Sequence, residues 1–282
     1  ATSGIYLNAS VLKALFDNRG ILFMKNWGRR QSVETLIRKK DAYSAIRRAW
    51  RLVKQVRRHY PHATVLAEFL YTGVNRGDLR FFWRECVRNN IAPFVETPVI
   101  SRRYQQNDHL LRFTTEQYVR DIYNLSLLNL SLRYGLDKKQ AYAARFWQTP
   151  YGSVFPSTCN KLTRAKGLFL ERNGDLSICS GAPIKVGNVH DTRIESRLRQ
   201  SSLLHDTRNI YHKLRGYCRD CKYSKSGLCY GCRGKALTIM NDYFGEDPMC
   251  FGVQALKLGE KKLSRFMSPH HIHILKKQFN PV

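Results

Sequence analysis

Five cysteines between Cys218 and Cys250 follow the spacing C-x2-C-x7-C-x2-C-x17-C, which constrains this chain more than any other feature. Two thiolates two residues apart reach one ion or cluster from a single tight turn, and thiolates suit zinc and iron–sulfur clusters above other metals. The four from Cys218 to Cys232 alone fit a compact zinc knuckle. Cys159 and Cys179 lie upstream, the segment between them ending in Gly174-x4-Cys179. Seven ligands are too many for one ion. Eight cysteines in all also raise a secreted disulfide framework. Ligand spacing in a chain long enough to fold without staples argues instead for a reducing cytoplasm.

The order of these ligands (a cysteine, G-x4-C, a long gap, two C-x2-C pairs and a last cysteine) resembles the SPASM domain of radical S-adenosylmethionine (radical SAM) enzymes. The middle spacings differ by a residue or two from the commonest pattern of that family. The resemblance implies two auxiliary [4Fe-4S] clusters, a first on Cys159, Cys179 and Cys232 and a second on Cys218, Cys221, Cys229 and Cys250. The first is then one cysteine short, since Asn160 to Lys166 contains none. An iron with an open or non-cysteine fourth position is expected there.

The chain in front of the cysteines alternates strand and helix signals. Thr64 to Tyr71, Ile91 to Val95 and the shorter run Ile21 to Met24 read as strands. Between them, Ile46, Ala49, Trp50 and Val53 give one helix its buried face, with Arg47, Arg51, Lys54 and Arg58 opposite, and Leu79 to Val87 gives a second helix. Asn8 or Ser10, Asp41, Asp78, and Thr114 or Thr115 are the candidate N-caps. This order predicts parallel βαβ units. With the opening Thr-Ser-Gly, the turn ending in Asn75 and the strand Pro-Phe-Val-Glu, it resembles the later half of the radical SAM core.

The expected fold is therefore α/β, the second half of a partial (β/α)6 TIM-like barrel followed by a small cysteine-rich SPASM domain. That domain should contain a β-hairpin turning at Asn173-Gly174. The implied divisions are 1–146 for the barrel portion and following helix, 147–158 for a linker, 159–252 for the SPASM domain and 253–282 for a basic tail. The C-x3-C-x2-C loop of the SAM-cleaving cluster does not occur in the sequence. The expectation is an N-terminally truncated fragment, inactive alone and poorly soluble through an unpaired edge at Ile21 to Met24.

In α/β barrels the working residues sit at the C-terminal ends of strands. Lys25, Glu68 and Glu96 occupy those places, as ligands of SAM or substrate or else as a structural ion pair. Asn75 reads as a helix cap, Cys86 as a buried small hydrophobe, and His270, His271 and His273 as part of a solvated terminus rather than a metal site.

By resemblance the full-length enzyme binds S-adenosylmethionine and a further [4Fe-4S] cluster, and generates a radical that modifies a peptide or small molecule. An electron donor such as a flavodoxin or ferredoxin is implied. The auxiliary clusters would relay electrons, anchor substrate, or only staple a loop-rich domain. A net charge of +27 mildly favours an acidic peptide and keeps nucleic acid as a less favoured partner, with the Arg47–Arg58 helix as its contact. No run approaches the roughly 20 apolar residues of a membrane span. The alternatives are a zinc-stabilised binding protein and an RNA-binding or RNA-modifying protein.

Overall fold

Short apolar runs flanked by amphipathic helices build the first half of the molecule. The structure, a computed structural model, describes residues 2–26, 28–98, 105–143, 168–179, 181–227 and 229–279. It comprises two units. The first is formed by 1–98, 107–113 and 124–141, and the second by the rest of the chain.

In the first unit, β1 (Leu22–Asn26), β2 (Val65–Leu70) and β3 (Ala92–Glu96) form a parallel sheet in that order. Helices α1 (Ala9–Asp17), α2 (Arg30–Ile37), α3 (Ala42–Arg57) and α4 (Leu79–Arg88) connect or flank them. A parallel pair needs a crossover, and α3 and α4 supply one each. The face of α3 buries Ile46, Ala49, Trp50 and Val53 as its periodicity predicts, and Cys86 is buried in α4. Thr2 bridges Met24 in parallel, its N–H donating to the Phe23 carbonyl at 2.8 Å and its carbonyl accepting from Lys25 N at 2.8 Å. The edge of β1 expected to be bare is therefore partly paired.

Three caps differ from expectation. Asn8 does cap α1, accepting from Val11 N at 2.9 Å. Asp41 stands at the N-cap of α3 with left-handed backbone (φ 67°) and no capping side-chain bond. Asp78 turns away from α4, its carboxylate accepting from Arg29 N and Ser32 Oγ, both at 2.7 Å. Asn75 is buried and closes a turn instead of capping a helix. Its Oδ1 accepts from Thr72 N at 2.8 Å, and its Nδ2 donates to the Leu70 carbonyl at 2.7 Å. A tight turn leaves these backbone groups orphaned, and the Asn amide satisfies a donor and an acceptor together.

Helix α5 (Asp108–Leu111) precedes α6 (Thr115–Tyr134), which Thr114 caps by accepting from Gln117 N at 3.1 Å. The early turns of α6 belong to the second unit and the later ones to the first. Helix α7 (Lys138–Ala143) follows.

The second unit carries an antiparallel sheet of β4 (Phe169–Leu170), β5 (Asp175–Cys179) and β6 (Ala182–Asn188). Gly174 takes φ +84° in the β4–β5 turn, the left-handed conformation that glycine adopts without strain. After α8 (Ile194–Gln200) and α9 (Ser202–Arg208) come α10 (Tyr217–Asp220), α11 (Lys222–Lys225) and α12 (Arg233–Met240), which carry the cysteine pairs.

The segment beyond Gly252 is not a solvated tail. It forms α13 (Phe251–Leu258), α14 (Glu260–Leu263) and α15 (Pro269–Phe279), burying Val253, Ala255, Leu263, Met267, Ile272 and Leu275. His271 is fully buried, its Nδ1 2.8 Å from the Tyr123 hydroxyl. A histidine at such a place is a packed, hydrogen-bonded core residue, because its helix turns an apolar stripe inward. Among the described residues no helix is long and apolar enough to cross a membrane.

Candidate metal centre

Cys179, Cys221, Cys232 and Cys250 stand at the ends or caps of short elements, and several of the cysteine sulfurs of the second unit meet amide N–H groups. Cys179 ends β5, and its Sγ accepts from Gly181 N at 3.3 Å. Cys229 accepts from Gly231 N and Cys218 from Asp247 N, each at 3.3 Å. Cys232 and Cys250 hold the N-cap positions of α12 and α13, where the helix dipole favours negative charge. Gln278 of α15 reaches to 3.9 Å from the Cys221 Sγ. Donors aimed at sulfur suit thiolate better than thiol.

Burial works against that charge. It pushes the Cys218 thiol up to about 11 and Cys229 to about 12, and holds Cys250 well above the usual thiol range. Without a bound cation these groups stay protonated at neutral pH, so loading releases protons.

Neighbouring thiols push these values further in the same direction. Cys221 raises Cys218; Cys218 and Cys221 raise Cys229; Cys218 and Cys229 raise Cys250. Cys232 responds to Cys179 instead. Cys159 lies outside the described residues. None of the six sulfurs is in a disulfide. Among the described residues, no group of three or more His, Cys, Asp or Glu side chains is set to hold a single ion.

Two glycines make the packing possible. Gly231 has φ +65°, and a Cβ there would lie 2.6 Å from the Asp247 Cβ and 3.2 Å from the Cys218 Sγ. At Gly234 a Cβ would lie 2.4 Å from the Gly181 carbonyl oxygen. The start of α12 therefore rests directly on the β5–β6 turn, which puts Cys232 next to Cys179.

Sequence reasoning missed four residues here. Asp247, buried, accepts from Cys232 N at 2.8 Å and Met249 N at 2.9 Å, tying the second C-x2-C pair to the loop that delivers Cys250. Tyr118 anchors that same loop, its hydroxyl donating to the Met249 carbonyl at 3.2 Å. Arg233 and Lys235 are each only 1% exposed. The signal available was the density of charge (Arg, Lys, Glu, Asp) between the last two cysteines, where a loop-rich metal domain has few places to put it in water.

In the first unit, the register aligns Lys25 with Glu68 and Leu70 with Glu96. Lys25 Nζ lies 3.4 Å from Glu68 Oε1, so an ion pair does form. Glu68 is 4% exposed, and its carboxyl is pushed up to about 7 by burial first and by the Glu96 charge second, with Lys25 pulling it back. Thr97, next in the chain, is buried with an unpartnered hydroxyl. The three predicted residues therefore converge as a polar cluster at the C-terminal ends of the strands, with Glu68 poised to hold or release a proton near neutrality.

No protein-family profile matches the chain. Over 82 residues it is 29% identical to AdoMet-dependent heme synthases of Oleidesulfovibrio alaskensis and Nitratidesulfovibrio vulgaris. Those stretches are 29% of this chain and 20% and 22% of the relatives, so the match spans about a fifth of their length. Among solved structures, native anSMEcpe with bound AdoMet superposes with a TM-score of 0.58 at 13% identity, covering 98% of this chain and 73% of that one. The same protein with AdoMet and the Kp18Cys peptide gives 0.55 at 14% identity, covering 98% and 75%.

Proposed function

We propose that this chain, a relative of the radical SAM enzymes that carry a SPASM domain, supplies the site for two auxiliary [4Fe-4S] clusters in an enzyme that modifies a peptide or small molecule with S-adenosylmethionine. One observation carries the reading: six buried or half-buried thiols in the second unit, with the backbone amides of Gly181, Gly231 and Asp247 donating to three of them. Cys218, Cys221, Cys229 and Cys250 would hold one cluster. Cys179 and Cys232, joined by Cys159, would hold the other. Such clusters, when bound, supply one-electron chemistry or a Lewis-acidic iron.

The chain's own residues provide the rest. Amides of Gly181, Gly231 and Asp247 orient and stabilise thiolate sulfur, while the apolar surroundings keep water from it. Lys25, Glu68 and Glu96 would bind the polar groups of S-adenosylmethionine or substrate, and Glu68 would hold a proton there. An acidic peptide fits the charge of +27, and the peptide in the anSMEcpe structure supports that substrate class by analogy of fold. An acidic one-electron carrier such as a flavodoxin or ferredoxin would deliver the electron.

The test is anaerobic production of the chain, followed by iron, sulfide and zinc analysis with a visible spectrum. The reading predicts about eight iron atoms and brown absorbance. Stoichiometric zinc without colour would replace it with the zinc-stabilised binding protein.

A further inference from the structure

Helices α3 and α4 carry a surface of one sign. Within its bounds α3 has no acidic residue, and α4 has only Glu85. Arg48, Arg51, Lys54 and Arg58 are exposed on or just after α3, and Arg80, Arg84 and Arg88 are exposed on α4. None of the seven pairs with a carboxylate among the described residues.

Two further arginines fasten the helices side by side. Arg47 Nη1 lies 3.0 Å from Glu85 Oε2, and Arg57 Nη1 donates to the carbonyls of Asn90 (2.7 Å) and Asn89 (3.2 Å) at the end of α4. The acidic group of α4 is thereby neutralised. Arg51, Lys54 and Arg58 follow Arg47 along one stripe of α3, and Arg80, Arg84 and Arg88 recur every four residues along α4. The sequence offered the first row, and the fold sets the second beside it.

Like charges four residues apart disfavour a helix, as in Arg47–Arg51, Lys54–Arg58, Arg80–Arg84 and Arg84–Arg88. Solvated faces ordinarily relieve such repulsion with interspersed carboxylates, and a polyanion relieves it here. Three features identify that polyanion. Six of the seven cations are arginine, whose planar fork matches phosphate oxygens in pairs. Two rows about 8–10 Å apart, the spacing of neighbouring helices, suit a polymer with two charged rails better than the single chain of an acidic peptide. Trp50, Phe82 and Trp83 are buried, and Arg30 and Arg29 cover Tyr43 and Phe81, so the face offers no free ring on which the bases of a single strand could stack.

We propose that the outer face of α3 and α4 binds the phosphate backbone of a nucleic-acid duplex without reading its sequence. RNA and DNA duplexes share that chemistry. The surface uses none of the residues assigned above to clusters, S-adenosylmethionine or substrate, and binding to it needs no iron.

The experiment is fluorescence anisotropy of the full chain with labelled RNA and DNA duplexes, a single strand of the same length and polyglutamate of equal charge, between about 50 and 200 mM salt. Iron is measured on the same sample, so failure of the cluster reading is seen separately. At least one duplex should bind more tightly than the single strand and polyglutamate, with log K falling against log salt at a slope of about −6 when all seven cations meet phosphate. Arg51→Gln/Arg84→Gln should weaken duplex binding about tenfold at about 100 mM salt and make the slope shallower by about two. Arg172→Gln/Arg193→Gln removes two exposed arginines of the second unit and should change neither. Binding of RNA alone, of DNA alone or of both supports the inference. No duplex binding at about 50 mM salt, equal effects of the two double variants, or a single strand held as tightly as the duplexes overturns it. Polyglutamate held as tightly as the duplexes also overturns it and makes an acidic peptide the occupant.

Discussion

At the scale of single residues, the metal site depends on groups that never touch metal in the proposed arrangement. Asp247 satisfies two amides that a bend between Cys232 and Cys250 would otherwise bury unpaired. Hydrogen bonds to a charged group contribute about 1.5–3 kcal/mol each in such settings. Asp247→Ala should therefore destabilise the second unit by at least about 1.5 kcal/mol, and iron on the Cys218 group should be lost faster to a chelator. Wild-type release kinetics would show that the loop holds Cys250 without Asp247. The sequence displayed the cysteine spacing fully, because covalent spacing is what lets two thiolates share a turn. It did not display that Asp247, Arg233 and Lys235 are buried. A charged residue in a loop reads as solvated until the fold shows water excluded from it. Asn75 was misread for a related reason, since an Asn in a turn serves a helix cap or the turn itself with the same side-chain chemistry.

At the scale of elements, close approach of backbones sets which cysteines meet. The start of α12 lies on the β5–β6 turn because Gly234 has no Cβ to strike the Gly181 carbonyl. Gly234→Ala forces that backbone pair apart, and the clash should cost about 1–3 kcal/mol, as overpacking does elsewhere. Cys232 would move away from Cys179, so the first cluster should load poorly while the second loads normally. Calorimetry together with iron per chain measures both parts, and equal loss from both groups would contradict this account of α12. The strands and long helices were legible because their apolar periods match the elements they became: α3 turns the predicted stripe inward, and β1 to β3 fall within a residue or two of the expected bounds. The helices after Gly252 were hidden by their lysines. Their buried residues are spaced along three short helices, too few per helix to stand out against the basic background.

At the scale of the whole molecule, the chain joins a parallel sheet bearing a polar cluster to a thiol-rich unit with its own helices and hairpin. Its α/β order and its hairpin match the expectation from sequence, and the fold superposes on a structure that binds AdoMet. The central claim is that two thiol groups act as two independent centres. The measurement that tests it most directly is iron and sulfide per chain, made anaerobically for the wild type, for a Cys179→Ser/Cys232→Ser chain and for a Cys218→Ser/Cys250→Ser chain. The account predicts that each double variant retains about half of the wild-type iron, about four atoms, with the spectroscopic signal of the untouched group preserved. Loss of all iron in both variants, or zinc in place of iron in the wild type, would contradict it.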